Sequence, residues 1–250
     1  MTLLAVSGLA KSFHGLAAVT GVSFALEAGE IVALIGPNGA GKTTTFNMLG
    51  GQLSADRGSV RLNGRELLGL PPRAIWRRGV GRTFQITATF SSMTVRVNVQ
   101  MALISHHRRT RAPWVAASSL YREEAAALLE RVGMADQAER ACGILAYGDL
   151  KRLELAVGLA NAPRLLLMDE PTAGMAPRER VELMHLAAEI ARERGVGILF
   201  TEHDMDVVFA HADRIVVLDR GRVIADGKPA EVREDERVRE VYLGSAAEPA

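Results

Sequence analysis

One glycine-rich segment, Gly36 to Thr44, restricts the possible fold of this chain more than any other feature. It follows an apolar run, Ile31 to Ile35, that is typical of a buried parallel strand. It leads into Thr44 to Leu49, a segment whose pattern predicts a helix. A strand, a glycine-rich loop, a Lys-Thr pair and a helix together form the context that a phosphate-binding loop requires. The sequence therefore predicts an α/β protein with a phosphate site at this loop, and it disfavours a glycine-rich turn without a ligand.

The residue types in this segment suit the chemistry of nucleotide phosphates. Glycines let successive backbone amides point inward, and the helix N-terminus adds the positive end of its dipole. Lys42 supplies a charge for the β- and γ-phosphates, and the Thr43 hydroxyl is a ligand for Mg²⁺. The residues expected to contact a nucleotide here are Gly36, Pro37, Asn38, Gly39, Ala40, Gly41, Lys42, Thr43 and Thr44.

Composition excludes several other classes of protein. The 250 residues are 48% hydrophobic and 24% charged, which is typical of a globular protein with a full core. The net charge of +1 gives no overall sign of nucleic-acid binding. No apolar run approaches the roughly 20 residues that span a bilayer, and the first residues do not resemble a signal peptide, so we expect a cytoplasmic protein. Cys142 is the only cysteine, which excludes a disulfide framework and a cysteine zinc site.

Two carboxylates follow a second apolar run. Leu165 to Met168 predicts a buried strand, and Asp169 and Glu170 emerge at its C-terminal end, where open α/β sheets bind ligands. Asp169 is placed to hold Mg²⁺, usually through water, and Glu170 is placed to orient and polarise an attacking water. A merely solvated acidic strand end is disfavoured because the same chain carries the phosphate-binding loop.

Three further residues gain meaning only from this context. His203 follows another apolar strand, Val196 to Thr201, and could contact a γ-phosphate, although a lone histidine there is usually structural. Phe13 lies in a polar loop between the alternating strands Leu3 to Leu9 and Val22 to Leu26. It is equally compatible with a core position and with stacking on a nucleotide base. Gln85, which follows Val80 to Phe84, carries little information alone.

The middle of the chain predicts helices joined by a basic loop. Helical patterns run from Met93 to Leu103, Tyr121 to Val132 and Leu150 to Leu159, and a fourth follows from Pro177 to Arg194. The loop from Ser105 to Trp114 is interpreted as a solvated connection, with a contact to anionic lipid or a partner as the sharper alternative.

These motifs together resemble the ATP-binding subunits of ABC transporters over nearly the whole chain. Gly36 to Thr44 resembles the Walker A motif and Leu165 to Glu170 the Walker B motif. Gln85 resembles the Q-loop, Leu145 to Asp149 the signature motif, and His203 the H-loop; Gly174 to Pro177 resembles the D-loop. Segments that resemble the longer ATPase subunit of branched-chain amino-acid importers are Arg82 to Gln85, Met93 to Val95, Leu145 to Gly148, Glu202 to Met205, Tyr242 to Gly244 and the basic loop near Arg108.

The resemblance implies specific roles for these residues. Catalysis would involve Glu170, His203, Lys42 and Gln85, with Mg²⁺ held by Thr43, Gln85 and Asp169. Phe13 matches the aromatic that stacks on adenine. ATP would also be contacted from the opposite subunit by Ala146, Tyr147, Gly148 and Asp149. The implied assembly has two ATPase subunits and two membrane subunits at the cytoplasmic face of the membrane, a separate solute-binding protein, and no nucleic acid.

Four positions depart from the family pattern. Ala146 replaces the signature serine and Asp149 its glutamine, so a hydroxyl toward the γ-phosphate is lost and a negative charge is added. Ala176 stands where the D-loop usually has Asp or Asn, and Val97 where the branch usually has Glu. These changes concern the geometry between subunits, and we still expect hydrolysis.

The resemblance predicts an α/β P-loop NTPase spanning residues 1–250. It would have a mostly parallel core sheet, an N-terminal antiparallel β subdomain and a helical subdomain from about Phe90 to Ala162. Two alternatives remain: a soluble ABC ATPase of DNA repair or translation, and a nucleotide-gated module without turnover. Neighbouring reading frames would test the first, and a phosphate-release assay the second.

We further predict that Gln85 to Thr94 docks the membrane subunits. Gln85 would sense the Mg²⁺ and water site at the start of the helical insertion. The residues that follow, Ile86 to Met93, are small, uncharged or apolar, which suits a groove wall for a partner helix. Phe90 and Met93 would be the anchors, unless they pack the insertion's own core.

Overall fold

The computed structural model describes residues 2–83, 89–107 and 120–244 of the chain. These residues form ten strands and nine α-helices. The strands are β1 (Thr2–Phe13), β2 (Leu16–Glu27), β3 (Ile31–Ile35), β4 (Arg57–Leu62), β5 (Arg65–Glu66), β6 (Val80–Thr83), β7 (Leu165–Asp169), β8 (Gly197–Thr201), β9 (Arg214–Asp219) and β10 (Arg222–Gly227). The helices are α1 (Lys42–Leu49), α2 (Pro72–Arg77), α3 (Val95–His106), α4 (Arg122–Arg131), α5 (Tyr147–Leu159), α6 (Pro177–Arg194), α7 (Met205–His211), α8 (Pro229–Glu234) and α9 (Glu236–Gly244).

The central sheet has six strands in the order β10-β9-β3-β8-β7-β6. All neighbours in it are parallel except β10, which pairs with β9 in the antiparallel sense. The apolar runs predicted as buried strands are β3, β7 and β8. Because they are parallel, their C-terminal ends meet at one edge of the sheet, where Asp169 pairs in register with Thr201.

Side chains of β3 alternate between two hydrophobic cores. Ile31, Ala33 and Ile35 belong to the core on the face covered by helices α3 to α6, whereas Val32 and Leu34 belong to the core shared with α1 and the second sheet. A strand buried on both faces has no polar positions, which explains its continuous apolar run.

The second sheet is antiparallel, with the strand order β2-β1-β4-β5, and it comes from the N-terminal part of the chain as predicted. The turn from β4 to β5 is made by Asn63 and Gly64, both with positive φ angles, as expected of an Asn-Gly hairpin. Together with the parallel sheet, this arrangement confirms the predicted α/β fold with an antiparallel β subdomain.

Some predicted boundaries are wrong for identifiable reasons. Phe13 is not in a loop: β1 extends to it, and it pairs with Leu16 across a tight hairpin. An antiparallel strand can face water on one side, so polar residues do not end it. Helix α5 begins at Tyr147 rather than Leu150, because Ala146 is its extended N-cap. Helix α3 begins at Val95, where Thr94 accepts a hydrogen bond from the amide of Val97.

Helices α3, α4 and α5 lie between β6 and β7 in the chain, where the helical insertion was predicted. Two short 3₁₀ helices, Ala135–Gln137 and Cys142–Ile144, connect α4 to α5. Across the described part of the chain, no helix combines the length and the apolar character needed to cross a bilayer.

Candidate active site

The phosphate-binding loop packs so closely against its surroundings that two of its glycines cannot be replaced without a shift. A Cβ atom on Gly36 would lie 2.2 Å from the carbonyl oxygen of Leu218 in β9. A Cβ atom on Gly41, whose φ angle is +100°, would lie 2.7 Å from the carbonyl oxygen of Ala18. The loop runs directly into α1. Its N-cap residue, Gly41, makes no side-chain hydrogen bond to the first turn. First-turn amides of α1 are thereby left to bind an anion.

Lys42, the first residue of α1, is buried at this loop. Its Nζ atom donates hydrogen bonds to the carbonyl oxygens of Gly36 at 2.7 Å and Pro37 at 3.1 Å. Burial lowers the pKa of Lys42, and the nearby carboxylates of Glu170 and Asp169 partly oppose this shift. The ammonium is therefore a desolvated donor placed beside the loop and both acidic residues.

The loop borders a cleft of about 350 Å³. Phe13 and His203 line this cleft together with Glu170, so the structure brings these predicted site residues to one place. The Phe13 side chain is 41% exposed, which is not the environment of a core residue. Its ring also lies 5.7 Å from the Nζ atom of Lys11. Stacking of Phe13 on a base stays a prediction. The remaining lining residues are Ala18, Asn38, Gly39, Ala40, Gly41, Lys42, Thr43 and Thr44.

Asp169 is held at both carboxylate oxygens. Its Oδ1 atom accepts a hydrogen bond from the Thr201 hydroxyl at 2.8 Å, and its Oδ2 atom lies 3.3 Å from Nη2 of Arg82. Sequence reasoning assigned no role to Arg82 or Thr201. Both are neighbours of Asp169 only because β6, β7 and β8 lie side by side, and the arginine in the segment before Gln85 was the available signal.

Glu170 and His203 form a pair across the ends of β7 and β8. The Nε2 atom of His203 lies 2.9 Å from Oε1 of Glu170. Glu170 has a φ angle of +48°, a left-handed conformation that is uncommon for a residue with a side chain. Its amide donates to the backbone oxygen and to the hydroxyl of Thr201, both at 3.1 Å, and these bonds hold the conformation. The carboxylate is thus fixed in orientation at the cleft.

Tyr242, in the C-terminal helix α9, also reaches the phosphate-binding loop. Burial raises the pKa of Tyr242 to about 12, and a hydrogen bond from the backbone amide of Gly36 to its hydroxyl opposes that rise. The segment Tyr242 to Gly244 resembled the importer branch in sequence, but no contact with the loop was expected from it. The structure therefore links the C-terminal segment to the first glycine of the loop.

The signature residues lie at the start of α5, and none of them lines the cleft. Ala146 and Tyr147 are exposed, whereas Gly148 is buried against α6, where an added Cβ atom would lie 2.9 Å from Oε1 of Glu179. Asp149 is partly buried in the first turn of the helix. Their contribution to ATP binding from an opposite subunit stays a prediction.

Part of the predicted site lies outside the described residues. This applies to Gln85, to Ile86 to Ala88 of the predicted docking segment, and to the basic loop from Arg108 onward. Of the predicted docking anchors, Phe90 is 54% exposed and Met93 is partly buried.

Comparison with known proteins gives consistent matches. A family model described as ABC transporter matches residues 19–173, and one described as branched-chain amino acid ATP-binding cassette transporter matches residues 222–248. The chain is 42% identical to the high-affinity branched-chain amino acid transport ATP-binding protein BraF of Pseudomonas aeruginosa, over 98% of both chains. It is 43% identical to the corresponding protein LivG of Salmonella typhimurium, over 98% of both chains. A solved ATP-binding cassette of an ABC transporter in its ADP conformation is 30% identical, with a TM-score of 0.87 over 98% of this chain and 99% of that one.

Proposed function

Because the chain belongs to the ATP-binding subunits of ABC transporters, we propose that it hydrolyses ATP to energise the uptake of branched-chain or related amino acids through partner membrane subunits. The observation that carries hydrolysis is the single cleft that joins the phosphate-binding loop, Lys42 and the Glu170–His203 pair. The solute class rests on the two relatives named for branched-chain amino acid transport and on the matching C-terminal family model.

ATP binding in this proposal uses groups that are already oriented. Backbone amides of the loop and of the first turn of α1 donate hydrogen bonds to the phosphate oxygens, and the Lys42 ammonium transfers its hydrogen bonds from the loop carbonyls to the β- and γ-phosphate oxygens. Phe13 stacks on the adenine at the rim of the same cleft. A charged donor that is already desolvated needs little rearrangement to meet a phosphate, which favours binding.

Glu170 orients and polarises the attacking water. Its carboxylate lies in the cleft, and its bond to His203 and its left-handed backbone restrict where it points. His203, whose side chain is half exposed, contacts the γ-phosphate while Glu170 orients the water. Hydrolysis transfers the proton of the attacking water toward Glu170 and releases phosphate and ADP.

The residues of the site fit a magnesium ion. The Thr43 hydroxyl and the Asp169 carboxylate supply oxygen donors, the ligand type that Mg²⁺ prefers, and Gln85 is the third proposed contributor. When bound, the ion would neutralise charge on the β- and γ-phosphates. Thr43 is exposed at the start of α1, whereas Asp169 is buried and oriented by Thr201.

The proposed assembly pairs two ATPase subunits with two membrane subunits at the cytoplasmic face of the membrane, served by a solute-binding protein. Each ATP would lie between the loop of one subunit and residues Ala146 to Asp149 of the other. Support comes from the exposed start of α5, which leaves its first-turn amides accessible to an opposing subunit. Residues of about 90–162 form the proposed helical subdomain that contacts the membrane subunits.

Reconstitution tests this function. The protein is co-expressed with candidate membrane subunits and placed in vesicles with the matching binding protein. We expect phosphate release stimulated by leucine, isoleucine or valine, together with uptake of the labelled amino acid. The same complex carrying Glu170→Gln is the control and should take up nothing. Stimulation only by a solute of another class would reject the amino-acid assignment, and no phosphate release under any condition would reject hydrolysis.

A further inference from the structure

Arg82 connects three elements beneath the active site. From β6 its guanidinium donates to Oδ1 of Asn47 at 2.9 Å, to Oε1 of Gln52 at 2.8 Å and, more distantly, to the backbone oxygen of Phe46 at 3.3 Å. Asn47 and Phe46 belong to α1, the helix that starts with Lys42, and Gln52 lies shortly after this helix. The fourth acceptor is Asp169 at the end of β7. Arg82 therefore joins β6, the far end of the phosphate-binding helix and the acidic strand end.

The strand register accounts for this placement. Arg82 pairs with Leu167 in the parallel ladder between β6 and β7, so both side chains lie on the face that packs on α1. Asp169, two residues beyond Leu167, points to the same face because side chains alternate along a strand. The Arg82 and Asp169 side chains are only 10% and 11% exposed. Water therefore screens this charge pair little.

The distances show which bonds hold the guanidinium. The two amide oxygens lie at 2.8–2.9 Å, whereas the carboxylate oxygen lies at 3.3 Å, longer than the roughly 2.7–2.9 Å of a tight charge-assisted hydrogen bond. Neutral groups on and after α1 thus accept the shorter hydrogen bonds from Arg82, and the bond to Oδ2 of Asp169 is longer. Burial lowers the pKa of Arg82, and Asp169 opposes that shift, in agreement with a desolvated pair.

An alternative partner for Asp169 is Lys42, because the charges of Glu170 and Asp169 both act on its ammonium. A carboxylate released from Arg82 would turn toward that ammonium, because a buried charge needs an opposite charge. Lys42 would then bind Asp169 instead of the nucleotide phosphates, and Asp169 would no longer be available to the divalent cation. The hydrogen bond from Thr201 holds Oδ1, whereas the contact with Arg82 is the one that orients Oδ2.

Resting on the proposed function, we propose that Arg82 is a positioning residue that keeps Asp169 turned away from Lys42, so that it can hold the nucleotide-bound divalent cation. Because the hydrogen bond from Arg82 to Oδ2 is long, this oxygen would still be able to accept a hydrogen bond from a water bound to the cation. Arg82 therefore determines how strongly a divalent cation binds beside the nucleotide, and it contributes little to the binding of the nucleotide alone.

The test measures cation and nucleotide affinity separately, without turnover. Mn²⁺ binding to the ADP-saturated protein is followed by electron paramagnetic resonance, and ADP binding in EDTA by calorimetry. We expect Arg82→Met to weaken Mn²⁺ binding about tenfold or more, as is typical when a group that orients a metal ligand is removed. The affinity for ADP in EDTA should change less than about threefold. Arg82→Lys, which keeps the charge, should recover most of the Mn²⁺ affinity.

Two further variants keep the test decisive. Gln52→Ala removes an exposed acceptor of Arg82 and is expected to fold normally, with Mn²⁺ affinity reduced about twofold to fivefold. Arg152→Met removes a partly buried arginine that donates to Val132 and Glu182, and it should leave both affinities unchanged. Equal losses of Mn²⁺ and ADP affinity in Arg82→Met, or Mn²⁺ affinity equal to the wild type in both Arg82→Met and Gln52→Ala, would overturn the inference. Absence of ADP binding by the wild type would instead reject the proposed function.

Discussion

The Nε2 atom of His203 lies 2.9 Å from the Oε1 atom of Glu170, across the adjacent ends of β7 and β8. Glu170 directly follows β7 and His203 lies two residues beyond the end of β8, so the pairing of these strands brings the two side chains together. Glu170 is further fixed by two hydrogen bonds from its amide to Thr201. A carboxylate held in this way is prepared to orient one water molecule, since little conformational freedom remains to be lost.

Replacing Glu170 by Gln should separate binding from hydrolysis. The amide keeps the size of the side chain and can still bond to His203, but it lacks the charge that polarises water. We expect ATP affinity to persist, turnover to fall about 10²-fold or more, and an ATP-bound dimer to accumulate. Phosphate release and size-exclusion chromatography measure these effects.

The matched control for this variant is Glu193→Gln, which neutralises an exposed carboxylate near the end of α6 and should change nothing. Lys42→Ala should behave differently from Glu170→Gln, because it removes the ammonium that binds phosphate and so weakens ATP binding itself. Hydrolysis by Glu170→Gln at the wild-type rate would exclude Glu170 as the group that activates water.

Phe13→Ala should weaken ATP and GTP to the same extent. Stacking acts on the π-face that every base has, so it does not distinguish the two nucleotides. The expected loss is about 1–3 kcal/mol, measured by calorimetry with each nucleotide. Leu16→Ala is the control, because Leu16 pairs with Phe13 in the same hairpin and is 76% exposed. Unchanged nucleotide affinity in Phe13→Ala would show that the ring does not stack.

His211 should make the protein less stable in mild acid. Burial lowers the pKa of His211, and the positive charge of His185 and then Arg192 lowers it further. The unfolded chain, where a histidine has its ordinary value near 6.5, therefore binds a proton before the folded protein does. The contribution of this group is fully present above that value and is lost as the pH falls from about 6.5 toward the lower folded pKa.

Urea unfolding at about pH 7.5 and 5.5 measures this effect. His211→Gln should reduce the loss of unfolding free energy between the two pH values, even if it lowers stability at both. His14→Gln, which removes an exposed imidazole from the first hairpin, should leave the difference unchanged. An identical pH dependence in wild type and His211→Gln would exclude His211 as its source.

Features that depend on adjacent residues were predictable from the sequence, whereas contacts between residues far apart in the chain were not. The loop at Gly36 to Thr44 and the strand before Asp169 were predictable because glycine spacing and continuous apolar runs are patterns of consecutive residues. The roles of Arg82 and Thr201 were not, because they depend on which strands are neighbours: β6 and β7 pair in register although α3, α4 and α5 separate them in the chain. The contact of Tyr242 with Gly36 is non-local in the same way.

The extent of β1 was also beyond sequence reasoning. Its pairing with β2 continues through Lys11, Ser12 and Phe13, although polar residues interrupt the apolar pattern. Asp56 accepts hydrogen bonds from the Lys11 side chain and from the Ser12 amide, and these bonds fix the end of the strand. They extend the strand far enough to place Phe13 at the cleft, whereas the sequence predicted a polar loop at this residue.

The docking prediction is best tested at Phe90. Its side chain is 54% exposed, yet its backbone is held at both ends by one buried amide: Asn98 accepts from the amide of Phe90 at 2.7 Å and donates to its carbonyl oxygen at 3.2 Å. An exposed aromatic on a rigid backbone is typical of an interface anchor. The neighbouring Ser91 oxygen accepts from the amide of Gly143, so Phe90 also lies beside the loop that leads to Ala146.

Phe90→Glu should therefore leave the melting temperature and basal phosphate release of the isolated subunit nearly unchanged, because the position is exposed and the backbone bonds to Asn98 are kept. It should abolish co-purification with the membrane subunits and solute-stimulated turnover, since a charge cannot enter an apolar groove without a partner. Leu16→Glu, at an even more exposed apolar position in the β1–β2 hairpin, is the control and should assemble normally. Loss of the fold in Phe90→Glu would show that the ring packs the core of its own chain, and normal assembly would place the docking surface elsewhere.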